Sequence, residues 1–133
     1  MKKLLLAILI AANSSLLFGC TNKSDSTLDS NCKSNSISAA ISKAVAPIDV
    51  LVNLDSFECA NNFAYAFATI GPVDGNIDGR ISVTMVFKYA EAMWKVQDRS
   101  KVCGTAIYDG ETVGYPKDAL VPKAIWQNAC QTN

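Results

Sequence analysis

Four cysteines, Cys32, Cys59, Cys103 and Cys130, constrain this chain more than any other feature. No two of them form a CxxC pair and the sequence contains no histidine. A zinc site would therefore lack both its usual spacing and its commonest ligand. An even set of cysteines, far apart in sequence, fits two disulfides, which require an oxidising compartment. A domain of about 100 residues buries only a modest core, so such crosslinks matter to it. A fifth cysteine, Cys20, lies upstream in different surroundings and needs a separate role.

The residues before Cys20 suggest that role. Lys2 and Lys3 form a short positive start, and Leu4 to Ala12 form an apolar run. The run is too short for a bilayer span of ~20 residues but suits the centre of a secretory signal. Leu17-Phe18-Gly19-Cys20 then resembles the lipobox of bacterial lipoproteins: an aliphatic, a variable and a small residue before cysteine. Phe18 is bulkier than the usual residue at its position. The resemblance implies that residues 1–19 are a signal peptide removed on export. It implies that Cys20 is the lipidation site, bearing diacylglyceryl and an acyl chain of the palmitate type. Thr21 stands where an aspartate marks inner-membrane retention in that family. This implies a cell-envelope location: the outer membrane, facing the periplasm, in a Gram-negative host. Residues 20–31 are polar and aperiodic, and read as the lipidated cysteine and a flexible tether. Residues 32–133 read as a single disulfide-bonded globular domain.

Within that domain Ile37, Ala40, Ile41, Ala44 and Val45 recur at helical spacing. Ser36 offers a hydroxyl to the first turn, and Pro47 forces Ala46 out of the helix. Residues 48–59 are mixed, with a short strand expected near Phe57. Phe63, Tyr65 and Phe67 alternate with Ala64, Ala66 and Ala68. That predicts a strand with one aromatic face and one small face that admits a helix closely. Ile81, Val83, Met85, Phe87 and Tyr89 share one face of the clearest strand, and Val86 breaks its pattern. Trp94 and Val96 continue the period into a fourth. Residues 99–121 contain Gly104, Gly110, Gly114 and Pro116 and read as irregular. Pro122 suits the first turn of a closing helix over about 122–130. The fold class is α+β: an antiparallel meander of three to four strands, an N-terminal helix, a C-terminal helix and two disulfides. A meander puts Cys32 and Cys59 at one end of the sheet and Cys103 towards the other. A strand of six residues spans ~20 Å, beyond disulfide reach. The expected pairs are Cys32–Cys59 and Cys103–Cys130.

Residues 74–82, DGNIDGRIS, raise the one metal question. Asp74, Asn76, Asp78, Arg80 and Ser82 fall at ligand positions of a loop that resembles the EF-hand, with Gly79 at its sharp turn. Met85, however, stands where the bidentate glutamate belongs, and the flanks read as strands. Gly, Asn and Asp are equally the residues of a hairpin turn. The expectation is a turn, with no cofactor; a calcium site is the alternative.

No other chemistry stands out. Without histidine, Ser-His-Asp and Cys-His catalysis within one chain is excluded. The pairs Asp55/Glu58 and Glu91/Asp98 read as solvated charges, Asp98-Arg99 as an ion pair at the sheet edge, and Trp94 and Trp126 as core. Twelve basic and 12 acidic residues balance, with no basic stripe, so nucleic acid is not an expected partner. WKVQDRSKVC and VPKAIWQNAC resemble stretches of small secreted actinobacterial proteins of no known activity. The expected function is a lipid-anchored, non-enzymatic module that binds an envelope protein: an inhibitor, immunity or assembly type. The alternative is a calcium-binding or structural envelope lipoprotein using the 74–82 loop.

Overall fold

The computed structural model describes residues 30–131. The signal segment, the lipobox and Cys20 lie outside those residues. The described chain runs α1 (Ser34–Val45), β1 (Val50–Ala60), β2 (Phe63–Pro72), a 3-10 turn (Ile77–Gly79), β3 (Ile81–Ala90), β4 (Met93–Gln97), α2 (Arg99–Val102), β5 (Ile107–Asp109), β6 (Thr112–Gly114) and α3 (Lys123–Cys130). Strands β1 to β4 form one antiparallel sheet in sequential order, and β5 pairs β6 in a separate hairpin. The α+β meander between two terminal helices is the architecture the sequence predicts.

The alternation in β2 determines which helix covers which face. Ala64, Ala66 and Ala68 lie buried with Ile37 and Ile41 of α1. Their small side chains let the helix sit close to the strand. Phe87 of β3 and Trp94 of β4 complete that layer. On the opposite face Phe63 and Tyr65 pack with Ile125, Trp126 and Ala129 of α3. Val86, out of step with its strand's apolar face, is fully buried in this second layer. One central sheet thus separates two apolar layers, each closed by one helix. Trp94 and Trp126 are 6% and 5% exposed, both core residues as expected. Each indole N–H is satisfied: Trp94 donates to Asn31 O at 3.0 Å and Trp126 to Cys103 O at 2.8 Å.

The two disulfides are Cys32–Cys59 and Cys103–Cys130, with Cα separations of 6.1 and 5.5 Å. The predicted pairing is correct, but the geometry behind it differs. Strand β4 ends at Gln97, opposite Val86 in mid-sheet, so Cys103 does not reach the far end. The separation is instead by face. Cys59 belongs to the α1 layer, while Cys103 and Cys130 belong to the α3 layer. The sheet itself stands between them.

Several local readings need correction. Helix α1 begins at Ser34, two residues before the expected cap Ser36, and Lys33 flanks it with no side-chain cap. The first helical bond runs from Ile37 N–H to Lys33 O at 3.0 Å, next to the crosslinked Cys32. The domain starts before Cys32, because the carbonyl of Asn31 is held by Trp94. Strand β1 is 11 residues long, not a short segment around Phe57. Its pairing with β2 shifts between Leu54 and Ser56, so Asp55 is the extra residue of a bulge. The bulge changes the parity of the inward face. Val52 and Leu54 point to the α1 layer before it, and Phe57 and Cys59 after it. The Asp55 carboxylate accepts from Asn53 Nδ2 at 2.8 Å and from Thr69 Oγ1 at 3.0 Å, which ties the bulge to β2. Residues 99–121 are not wholly irregular, since they include α2 and the β5–β6 hairpin. Gly110, at φ 62, is the first of its two loop residues, the position where a type II′ turn calls for glycine. Asp98 does not pair with Arg99. Its carboxylate accepts from Ser100 N–H at 3.0 Å and lies 3.9 Å from Lys101 Nζ.

Candidate functional site

The 74–82 segment connects β2 to β3 as a hairpin loop. Asp74 Oδ1 accepts from Asn76 N–H at 2.9 Å, and Asn76 Oδ1 accepts from Asp78 N–H at 3.1 Å. Two successive side chains therefore close turns on the backbone two residues ahead, the local bonding that favours Asp and Asn in loops. Gly75 carries the positive φ, at 77°. Gly79 serves close packing instead: a Cβ there would lie 2.7 Å from the Pro72 ring. Arg80 donates its N–H to Ile77 O at 3.1 Å, and the stem of its side chain lies across Gly71. Ser82 is already inside β3, paired with Thr69, and Met85 is half-buried in the α1 layer. Among the described residues no three His, Cys, Asp or Glu side chains converge as a metal-binding group.

The loop's energetics follow from those bonds. Asp74→Ala removes one charge-assisted turn contact, so unfolding stability falls by about 1 kcal/mol. The loss is the same with and without ~5 mM calcium, the range of weak extracellular sites. Paired urea titrations check it. A calcium-dependent stabilisation of the parent that Asp74→Ala abolishes would instead establish a site.

Around this loop the sheet ends in exposed apolar side chains. Ile77 is 74% exposed and Ile48 69%, and Val73 and Ile81 are also largely open. Val45, Ile48, Ile70 and Ile81 border a shallow apolar crevice of about 370 Å³ between the end of α1 and the β2–β3 loop. Asp49, Asp74, Asp78 and Arg80 are the charged residues beside these side chains in sequence. Exposed apolar residues scattered singly are ordinary; these gather at one rim of the domain beside the crevice. The sequence offered no direct signal for it. Ile48 lies in a stretch without a clear period, and Val73 and Ile77 sit in a loop that reads as turn chemistry.

The opposite end of the sheet holds the chain's entry point. Cys32 is bonded to Cys59, one residue before the end of β1, beside the Asn61–Asn62 turn. The apolar crevice lies where β1 begins and β2 ends. Strands of ten residues separate the two ends by ~35 Å. No helix among the described residues is long and apolar enough to cross a membrane. Comparison with known proteins finds no family model, no curated protein and no solved structure that matches the chain.

Proposed function

We infer that this chain is an exported, lipid-anchored binding module that meets another envelope protein through its apolar end. The observation that carries the reading is the position of Ile48, Val73, Ile77 and Ile81 at the end of the sheet remote from Cys32. An acylated Cys20 holds the chain at a bilayer. The ten residues from there to Ser30 span at most ~35 Å. Tethered by the Cys32–Cys59 end, the domain turns its apolar rim away from that bilayer, towards protein. The neighbouring Asp49, Asp74 and Asp78 outnumber Arg80, which favours a partner that surrounds an apolar contact with mainly basic groups. The lack of histidine in the sequence, and of any converging Cys, Asp or Glu group among the described residues, favours binding over chemistry.

Two measurements separate the anchor from the surface. In cells fed labelled palmitate, the full chain takes up label and stays with the membrane fraction, and Cys20→Ser loses both. Unchanged labelling of the variant would remove the lipoprotein reading. A photo-crosslinking residue in place of Ile77 yields one discrete protein adduct in the intact envelope. Ile48→Asp abolishes that adduct, and the same crosslinker in place of Asn61 does not form it. Adducts to lipid alone, or equal adducts from both ends, would overturn the surface.

A further inference from the structure

A second cleft lies on the α3 face of the sheet, apart from the apolar rim. Helix α3 has only eight residues and covers Phe63, Tyr65 and Val86, so the lower part of this face is left open. Between the helix and the open part is a cleft of about 490 Å³, lined by Ser56, Tyr65, Phe67, Thr84, Gln127, Asn128 and Gln131, the last donating its side-chain N–H to Val113 O at 3.5 Å. That volume falls in the ~300–1,000 Å³ range of small-molecule sites. Four elements, β1, β2, β3 and α3, each contribute to it.

The lining combines free surface polar groups with one buried hydroxyl. The side chains of Ser56, Thr84, Gln127 and Asn128 make no hydrogen bond among the described residues. Tyr65 is only 6% exposed, yet its hydroxyl likewise has no partner there. No sealed-off polar side-chain atom lacks a partner among the described residues, so that hydroxyl opens to the cleft. Ser56, Gln127 and Asn128 are exposed and Thr84 is half-buried, so the Tyr65 hydroxyl is the one buried member of the set, and buried polar groups are ordinarily paired. Phe67, in mid-strand, is 39% exposed and forms an aromatic wall. No charged side chain lines the cleft. Glu58, opposite Tyr65 on β1, is exposed and outside the lining.

We propose that this cleft binds a neutral carbohydrate. A sugar ring has an apolar C–H face for Phe67 and a rim of hydroxyls that donate and accept in several directions. Three hydroxyls and two carboxamides match that rim, because each donates and accepts. The absence of lining charge disfavours phosphorylated or acidic ligands, which call for Arg or Lys. A peptide is less well served. Strand addition needs an open sheet edge, whereas this cleft stands on a sheet face and presents side chains.

The test is ¹⁵N NMR of the full-length chain in a detergent without a sugar headgroup, titrated with cellotetraose, maltotetraose and chitotetraose. At least one saturates with Kd between about 0.1 and 10 mM. It shifts the side-chain amide signals of Gln127 and Asn128. Tyr65→Phe, which deletes one oxygen and leaves the packing ring, weakens that binding about tenfold with the rest of the spectrum unchanged. Phe67→Ala weakens it further. No saturable shift with any of the three sugars would overturn the proposal. So would an unchanged Kd in Tyr65→Phe, or a response of the same signals to tetra-alanine but to no sugar.

Discussion

Replacing Cys103 and Cys130 together by alanine lowers the unfolding free energy by about 3–5 kcal/mol, the usual cost of losing a disulfide in a small secreted domain. Both disulfides join residues 27 apart, so loop closure alone assigns the same loss, about 3.5 kcal/mol, to either pair. Their surroundings break the tie. Cys130 closes α3, an eight-residue helix, and isolated helices shorter than ~12–15 residues are marginal. Its docking depends on Ile125, Trp126 and the crosslink itself. Cys103 also presents the carbonyl that takes the Trp126 indole N–H. Cys32 and Cys59 are half-buried, as is Cys130, whereas Cys103 is buried, and α1 retains Ile37 and Ile41 in the core without its crosslink. The Cys103/Cys130 double variant is therefore the less stable of the two, and loses α3 first. Urea unfolding of both double variants, with amide exchange over 123–130, measures this. Equal losses, with α3 still protected, would show that loop closure alone governs.

What was legible in the sequence follows from where the period was intact. In Ile81–Tyr89 the alternation is broken only at Val86, and both the strand and its α1-facing side follow directly from it. The aromatic and alanine faces of β2 likewise announce a sheet covered on both sides. In β1 the residues facing the α1 layer are the even-numbered Val52 and Leu54 and then the odd-numbered Phe57 and Cys59, because the bulge at Asp55 inserts one residue. A period-2 template fails across such a shift, so an 11-residue strand looks like a fragment. The β5–β6 hairpin has three-residue strands, too short for any period, although Asp109-Gly110 is a turn signal. The neutral cleft was illegible for another reason. Its lining comes from β1, β2, β3 and the last turns of α3, and each member apart from the core residue Tyr65 is alone an ordinary surface or half-buried residue. Only Phe67 hinted at it, as an aromatic continuing a buried face past the point where the helix stops.

Gly104→Ala costs about 3 kcal/mol or more, since two penalties meet at one backbone position. Gly104 has φ 75, where an L-residue pays about 1–2 kcal/mol. A Cβ there would also lie 2.7 Å from Ala119 N, 2.7 Å from Asp118 Oδ1 and 2.9 Å from Pro116 Cβ. Two of those neighbours cannot yield cheaply. The 116–121 segment is held by Leu120 N–H to Val102 O at 2.8 Å and by the Tyr115 hydroxyl to Val121 O at 2.9 Å. Asp118 accepts from Thr105 N–H at 3.0 Å and from its hydroxyl at 2.9 Å, so displacing the carboxylate breaks the contact that pins residue 105. The Thr105 N–H and hydroxyl hold the Asp118 carboxyl below the usual carboxylate range. A carboxylate with a lowered folded-state pKa favours the fold above its unfolded value, and that contribution is lost as pH falls through the folded one. In Gly104→Ala the carboxylate is pushed off Thr105, so the parent's loss of stability below the ordinary aspartate pKa is blunted in the variant. Gly75→Ala is the control. Gly75 has φ 77 but nothing within 4 Å of the added methyl, so it pays the conformational penalty alone. Urea midpoints for both variants at neutral pH and at about pH 3, below the ordinary aspartate pKa, separate the terms. Equal costs for the two glycines would mean that the 116–121 segment moves aside freely, and that the packing of this corner is looser than its hydrogen bonds indicate.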